Sequence, residues 1–146
     1  MQRRICYNTE NQGRRGWKMV LITEVQRIEA ELARSNMTEE ALMRKFQSAS
    51  RADVKLACAL YGYFGAGKAD VYLQYLMNRI RPAVSELILS GRVSQLAELE
   101  EQGAFTAELT DSFLETAISA GAQEATVWLL QLKERRFGFP DRDFSL

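Results

Sequence analysis

Apolar residues recur along this chain at three- and four-residue intervals, and glycine or a polar pair repeatedly interrupts the series. Leu21, Val25, Ile28 and Leu32 set a helical period over about 20–34, and Ser35-Asn36 stops it. Thr38 ahead of Glu39-Glu40 has the N-cap and acidic first turn of a second helix, about 39–49, marked by Leu42, Met43 and Phe46. Ser50-Arg51-Ala52-Asp53 has the shape of a capping box and opens a third helix through Val54, Ala57, Cys58 and Tyr61. Gly65-Ala66-Gly67 breaks it. A fourth helix, about 68–79, carries Val71, Leu73, Leu76 and Met77. Arg81-Pro82 begins a short fifth, since proline suits a first helical turn, and Ser90-Gly91 ends it. The sixth, about 92–102, ends at Gly103. Thr110-Asp111 caps a seventh that ends at Ala120-Gly121, and the eighth, about 122–136, carries Val127, Leu129, Leu130 and Leu132. No segment reads as a strand, and no Pro/Gly/Ser-rich linker divides the series. The pattern predicts one all-α domain over 19–146.

Gly67, Gly91 and Gly121 each follow one helix and precede another, at separations of 24 and 30 residues, within the range of helical repeats. The stretch from Ser112 to Leu132 resembles an ankyrin repeat. Leu114 stands at that pattern's first leucine, Ala117-Ile118 at its small and apolar pair, Gly121 at its turn glycine, Glu124 at its acid and Leu129-Leu130 at its closing leucines. Ser112-Phe113 replaces the family's Thr-Pro and Glu115 its histidine. The preceding unit, about 82–104, keeps Gly91, Leu99 and Gly103-Ala104, with Glu100 in place of the second closing leucine. The unit around Gly67 keeps Asp70-Val71 and Tyr75-Leu76. The resemblance implies a short solenoid of stacked helix pairs over about 54–132, with residues 20–49 as N-terminal capping helices. It further implies a surface for binding another protein and no catalytic activity. Other helical-pair repeats fit the same pattern. One helix pair cannot bury its own apolar face, so each leans on its neighbours and the end units must be closed. The tail from Phe137 to Leu146 suits that closure, with Phe137, Phe139 and Phe144 laid over the last apolar surface. The rival reading makes it a docking peptide for another protein.

Composition narrows the function. The 146 residues are 47% hydrophobic and 26% charged, an ordinary globular balance, and no apolar run approaches the roughly 18 residues of a membrane span. Histidine is absent, which removes the usual general base and the commonest metal ligand. Cys6 and Cys58 are far apart and belong to no metal or disulfide motif. The charge sums to zero but unevenly. Residues 1–18 hold Arg3, Arg4, Arg14, Arg15 and Lys18 against Glu10, leaving the remainder acidic and a poor binder of nucleic acid.

Those eighteen residues lack the period of the rest. Gly13-Arg14-Arg15 can be encoded as GGA-AGG-AGG, which contains a bacterial ribosome-binding sequence, and Met19 follows at initiation distance. Residues 1–18 are therefore expected to be a translated leader, disordered, with Met19 the native start in a bacterial, cytoplasmic protein. A basic arm on nucleic acid is the alternative.

The stretch Gly62-Tyr-Phe-Gly-Ala-Gly-Lys-Ala69 lies one residue from a phosphate-binding loop, G-x-x-x-x-G-K-[ST]. That loop needs a preceding buried strand and a hydroxyl after the lysine. Here the preceding residues read as helix and Ala69 follows Lys68. The expected structure is a helix–turn–helix connection with Gly65 and Gly67 in turn conformations and Lys68 solvated, and a nucleotide-binding protein that uses the Gly62–Lys68 turn is the alternative. Glu98, Glu100 and Glu101 spread around a solvated face rather than converge, and Lys133 to Arg136 favour a helix C-terminus. Cys58 falls on an apolar face as a small core residue. No catalytic, cofactor or metal residue is assigned. Tyr72, Tyr75 and Trp128, on outer-type helices, are packing residues unless exposed, and with Phe139 and Phe144 they are the candidate anchors for a partner protein. A short solenoid with open ends can also form a homodimer.

Overall fold

The computed structural model describes residues 3–7 and 18–137. Arg3–Tyr7 and Lys18–Ile22 pair as an antiparallel ribbon, Arg3 opposite Ile22 and Tyr7 opposite Lys18. Eight α-helices follow: α1 (Glu24–Ser35), α2 (Glu39–Ser48), α3 (Ala52–Gly65), α4 (Asp70–Asn78), α5 (Ile80–Leu89), α6 (Val93–Glu101), α7 (Ala107–Ala120) and α8 (Gln123–Leu132). A π-turn, Lys133–Phe137, closes the described chain. The chain divides into two compact units, 1–73 and 74–146, with the division inside α4.

In the first unit α3 packs against both α1 and α2. Leu56, Ala57, Cys58, Ala59 and Leu60 are consecutive and all buried, so α3 is covered on more than one side. Val25, Ile28 and Leu32 of α1 and Leu42 and Phe46 of α2 supply the facing apolar stripes. Gly62 lets the Tyr72 ring lie directly on the α3 backbone: a Cβ there would stand 2.4 Å from Tyr72 Cε2. The same ring meets Phe46 edge-on at 5.2 Å.

The second unit contains two helix hairpins, α5–α6 and α7–α8. Helix α5 packs on α7 and α6 on α8. Each hairpin bends through a glycine in the left-handed region, Gly91 at φ 71° and Gly121 at φ 70°. At each bend the next amide donates five residues back, Arg92 to the Leu87 carbonyl and Ala122 to the Ala117 carbonyl, both at 2.9 Å. These are the bonds of a Schellman cap, which satisfies carbonyls the helix leaves unpaired. Gly103, at φ 83°, makes the corresponding cap between α6 and α7, where the Ala104 amide donates to Leu99. Leu87, Leu96, Leu99, Leu129 and Leu132 are all sealed between these helices. Each contributes roughly 1.5–3 kcal/mol over an exposed leucine.

Several boundaries differ from the sequence reading. Helix α1 begins at Glu24, because 18–22 pairs with 3–7 and Thr23 forms a reciprocal capping box with Gln26. Helix α3 is preceded by Arg51, which makes no side-chain cap; its guanidinium pairs with Asp53 at 2.7 Å, so Asp53 does not reach back to a serine. Helix α7 is capped by Thr106, whose hydroxyl accepts from the Leu109 amide, and begins three residues before Thr110. Thr110 is wholly buried inside the helix, its hydroxyl donating to the Thr106 carbonyl at 2.7 Å. Gly67 is not a left-handed cap. The left-handed residue is Lys68, at φ 58°, whose amide reaches back to the Gly62 carbonyl.

Candidate functional site

The residues singled out from the sequence fall in different settings. Tyr72 is buried, 3% exposed, so its ring is a core element of the first unit. Burial pushes its hydroxyl above the ordinary tyrosine range, with the Cys58 thiol and the Glu39 carboxylate adding to the effect. Tyr75 is half-buried, and the Arg79 guanidinium lies 5.7 Å from its ring. Phe139 and Phe144 lie outside the described residues. Trp128 is half-buried and lines a surface groove.

That groove runs where α6 meets α8, with a volume of about 500 Å³, lined by Val93, Gln123, Glu124, Val127, Trp128 and Gln131. Helix α8 builds it because it is apolar on more than its core side. Ala125, Leu129 and Leu132 form the buried stripe, while Val127 is 52% exposed and Leu130 40%. Trp128 is fixed from within. Its ring meets Phe105 edge-on at 5.9 Å, and Phe105 meets Phe113 edge-on at 5.2 Å. Phe105 is 3% exposed and Phe113 2%, so the indole leans on an aromatic column rooted in the core. The groove offers an apolar floor, a glutamate and two amides at its rim.

The turn after α3 has a different character. The residues before it are helix through Gly65, not strand. Lys68 is exposed, with Nζ 4.6 Å from the centre of the Tyr63 ring and 5.6 Å from that of Phe64. This is cation–π packing against the end of α3. Cys58, wholly buried, has its thiol pushed up by burial and only partly eased by Lys45 and Lys55. A raised thiol is a poor nucleophile.

A second cavity, about 280 Å³, lies in the first unit among Arg27, Glu31, Lys45 and Arg51, with Ile28 and Leu32 behind them. Its guanidinium groups are committed. Arg27 pairs with Glu24 and, at 2.6 Å, with Glu31; Arg51 pairs with Asp53. The hydrogen bond from Arg27, with its charge, holds the Glu24 carboxyl below its ordinary value. Among the described residues no three His, Cys, Asp or Glu side chains gather as a metal ion would require, and no helix is long and apolar enough to cross a membrane.

The sequence named Trp128 but not its setting. Phe105, which steadies the indole, sits in the short connection between α6 and α7, where no periodicity marks it. Val127 and Leu130, flanking the Leu129 core position, were the available signal. Apolar residues on several faces of a helix mean either full burial or a surface in use. Comparison with protein-family models, with curated proteins and with solved structures finds no match to this chain.

Proposed function

We propose that this chain is a small non-catalytic interaction module, an adaptor of the bacterial cytoplasm, whose second unit is an ankyrin-like stack of helix hairpins. It takes a segment of a partner protein in the groove between α6 and α8. The observation that carries the reading is Trp128. A large aromatic side chain is half-exposed in a groove and braced from behind by Phe105 and Phe113. Tryptophan rings in such settings dominate binding energies at protein interfaces, because they bury much area with little loss of freedom. Val93 and Val127 widen the apolar floor, and Glu124 at the rim favours a partner segment with a basic residue beside its apolar anchor.

The test is paired affinity capture from the native host, with wild type and Trp128→Ala side by side. The partner recovered with wild type is expected to be lost from the variant, with affinity reduced about thirtyfold, the effect of removing one hot-spot anchor. Lys68→Ala is expected to retain it. Retention by Trp128→Ala overturns the reading, and loss with Lys68→Ala alone moves the site to the α3–α4 turn.

A further inference from the structure

The two hairpins of the second unit are related by a shift of 30 residues. Leu87, Gly91 and Arg92 of the first cap correspond to Ala117, Gly121 and Ala122 of the second, down to the same amide-to-carbonyl bond. The same shift takes Val84 to Leu114 and Ile88 to Ile118. Val84 is 0% exposed and Ile88 1%, whereas Ile118 is 60% exposed. Thus an isoleucine at the same place in the hairpin is sealed in one copy and open in the next.

What seals the first copy is the second. Helix α5 packs on α7, and Arg81 of α5 donates to the Ser112 hydroxyl of α7 at 3.1 Å. At 100° per residue, Arg81, Val84 and Ile88 share one flank of α5. Their counterparts Asp111, Leu114 and Ile118 share the corresponding flank of α7, the one turned away from α5. On α8 the matching flank carries Leu130, 40% exposed. Lys133 Nζ, at the start of the π-turn, pairs with Asp111 Oδ1 of α7 at 2.9 Å. On α7 the last hairpin therefore repeats the flank that α5 buries, with Ile118 open to solvent and Leu114 half-buried, while Leu130 of α8 stands where α6 carries Glu100.

We propose that this flank is a dimerisation surface, and that its occupant is the same flank of a second copy of this chain, related by a twofold axis. Within the chain, this kind of flank is covered by the opposite flank of the next hairpin, through Ser112 of α7, whereas a like flank of a second copy is fitted to it by self-complementarity. A twofold contact must be self-complementary. The flank meets that condition, being apolar at Leu114, Ile118 and Leu130 and carrying one charge of each sign in Asp111 and Lys133, so it does not repel itself. Size sets the strength. A 14-residue helix is about 21 Å long, and two helices side by side span about 20 Å, a footprint of about 400 Å². Counted on both partners that is about 800 Å², below the roughly 1,000 Å² of a stable specific interface. The dimer is therefore weak and transient, forming in the range of about 100 µM and above. The surface adjoins the groove holding Trp128, since Leu130 lies one turn from Val127, but shares no lining residue with it.

Sedimentation equilibrium on the full chain, across and above that concentration range, tests the proposal. The expected result is a monomer–dimer equilibrium. Ile118→Glu weakens it at least tenfold, while Leu89→Glu, on an exposed position of α5, leaves it unchanged. Far-UV circular dichroism of Ile118→Glu is expected to match wild type, because the residue lies in solvent in the monomer. A wild-type chain that stays monomeric throughout overturns the proposal. So does a dimer indifferent to Ile118→Glu, since its interface then lies elsewhere. A chain that dimerises only after removal of residues 138–146 overturns it too, by assigning the flank to the chain's own tail.

Discussion

Gly62 shows how one missing side chain shapes a unit. Tyr72 lies with Cε2 2.4 Å from the place a Cβ would occupy, and Phe46 holds the ring from another side. The ring is a planar body wedged between α3 and Phe46, so it cannot swing aside as a flexible chain end would. Gly62→Ala is therefore expected to destabilise the protein by about 1–3 kcal/mol, the usual cost of overpacking a closed core. Urea unfolding checks it: the midpoint falls while the denaturant slope stays constant. Gly62 thus has a packing role within the G-x-x-x-x-G-K spacing. Its carbonyl accepts the Lys68 amide and its missing Cβ admits Tyr72, which explains a glycine here without invoking a phosphate.

Among the elements, the helix caps separate two kinds of glycine that look alike in the sequence. Gly121 is left-handed with open space around it, so Gly121→Ala costs only backbone strain, about 1 kcal/mol. At Gly67 an added Cβ meets the Glu39 carboxylate at 2.8 Å, the mobile end of a long side chain, and the backbone is not left-handed. Gly67→Ala is expected to cost less than half as much, with thermal unfolding of both variants as the measurement. The helices themselves were legible because their apolar period and end signals agree, as at Thr38, Asn36 and Gly91. Thr110-Asp111 has the residue types of an N-cap, but the cap of α7 is Thr106, which the sequence pattern did not single out. Thr110 went to the interior, leaving Thr106 to cap. Trp128 was legible as a candidate because it is aromatic on an outer-type helix. Tyr72, chosen by the same rule, went inward because Gly62 faces it, a pairing across ten residues that periodicity does not encode.

For the molecule as a whole, the decisive feature is that the last hairpin repeats the one before it. Ile88 and Ile118 occupy equivalent places 30 residues apart, 1% and 60% exposed. Truncating each to alanine removes the same atoms from opposite surroundings. At Ile88 the loss opens a cavity between α5 and α7, and the expected cost is about 2–5 kcal/mol. At Ile118 the removed atoms already faced water, and the expected change is within about 0.5 kcal/mol. The comparison is to be made by chemical denaturation at a concentration well below that of any dimer, so that association does not add to the Ile118 value. A cost of about 2–5 kcal/mol at Ile118 as well would show that Ile118 is covered within the monomer, ending both the contrast between the hairpins and the dimer that rests on it. A large cost at Ile88 alone means that stacking, rather than the hairpin itself, stabilises each layer, as expected where no single helix pair can bury its own apolar flank.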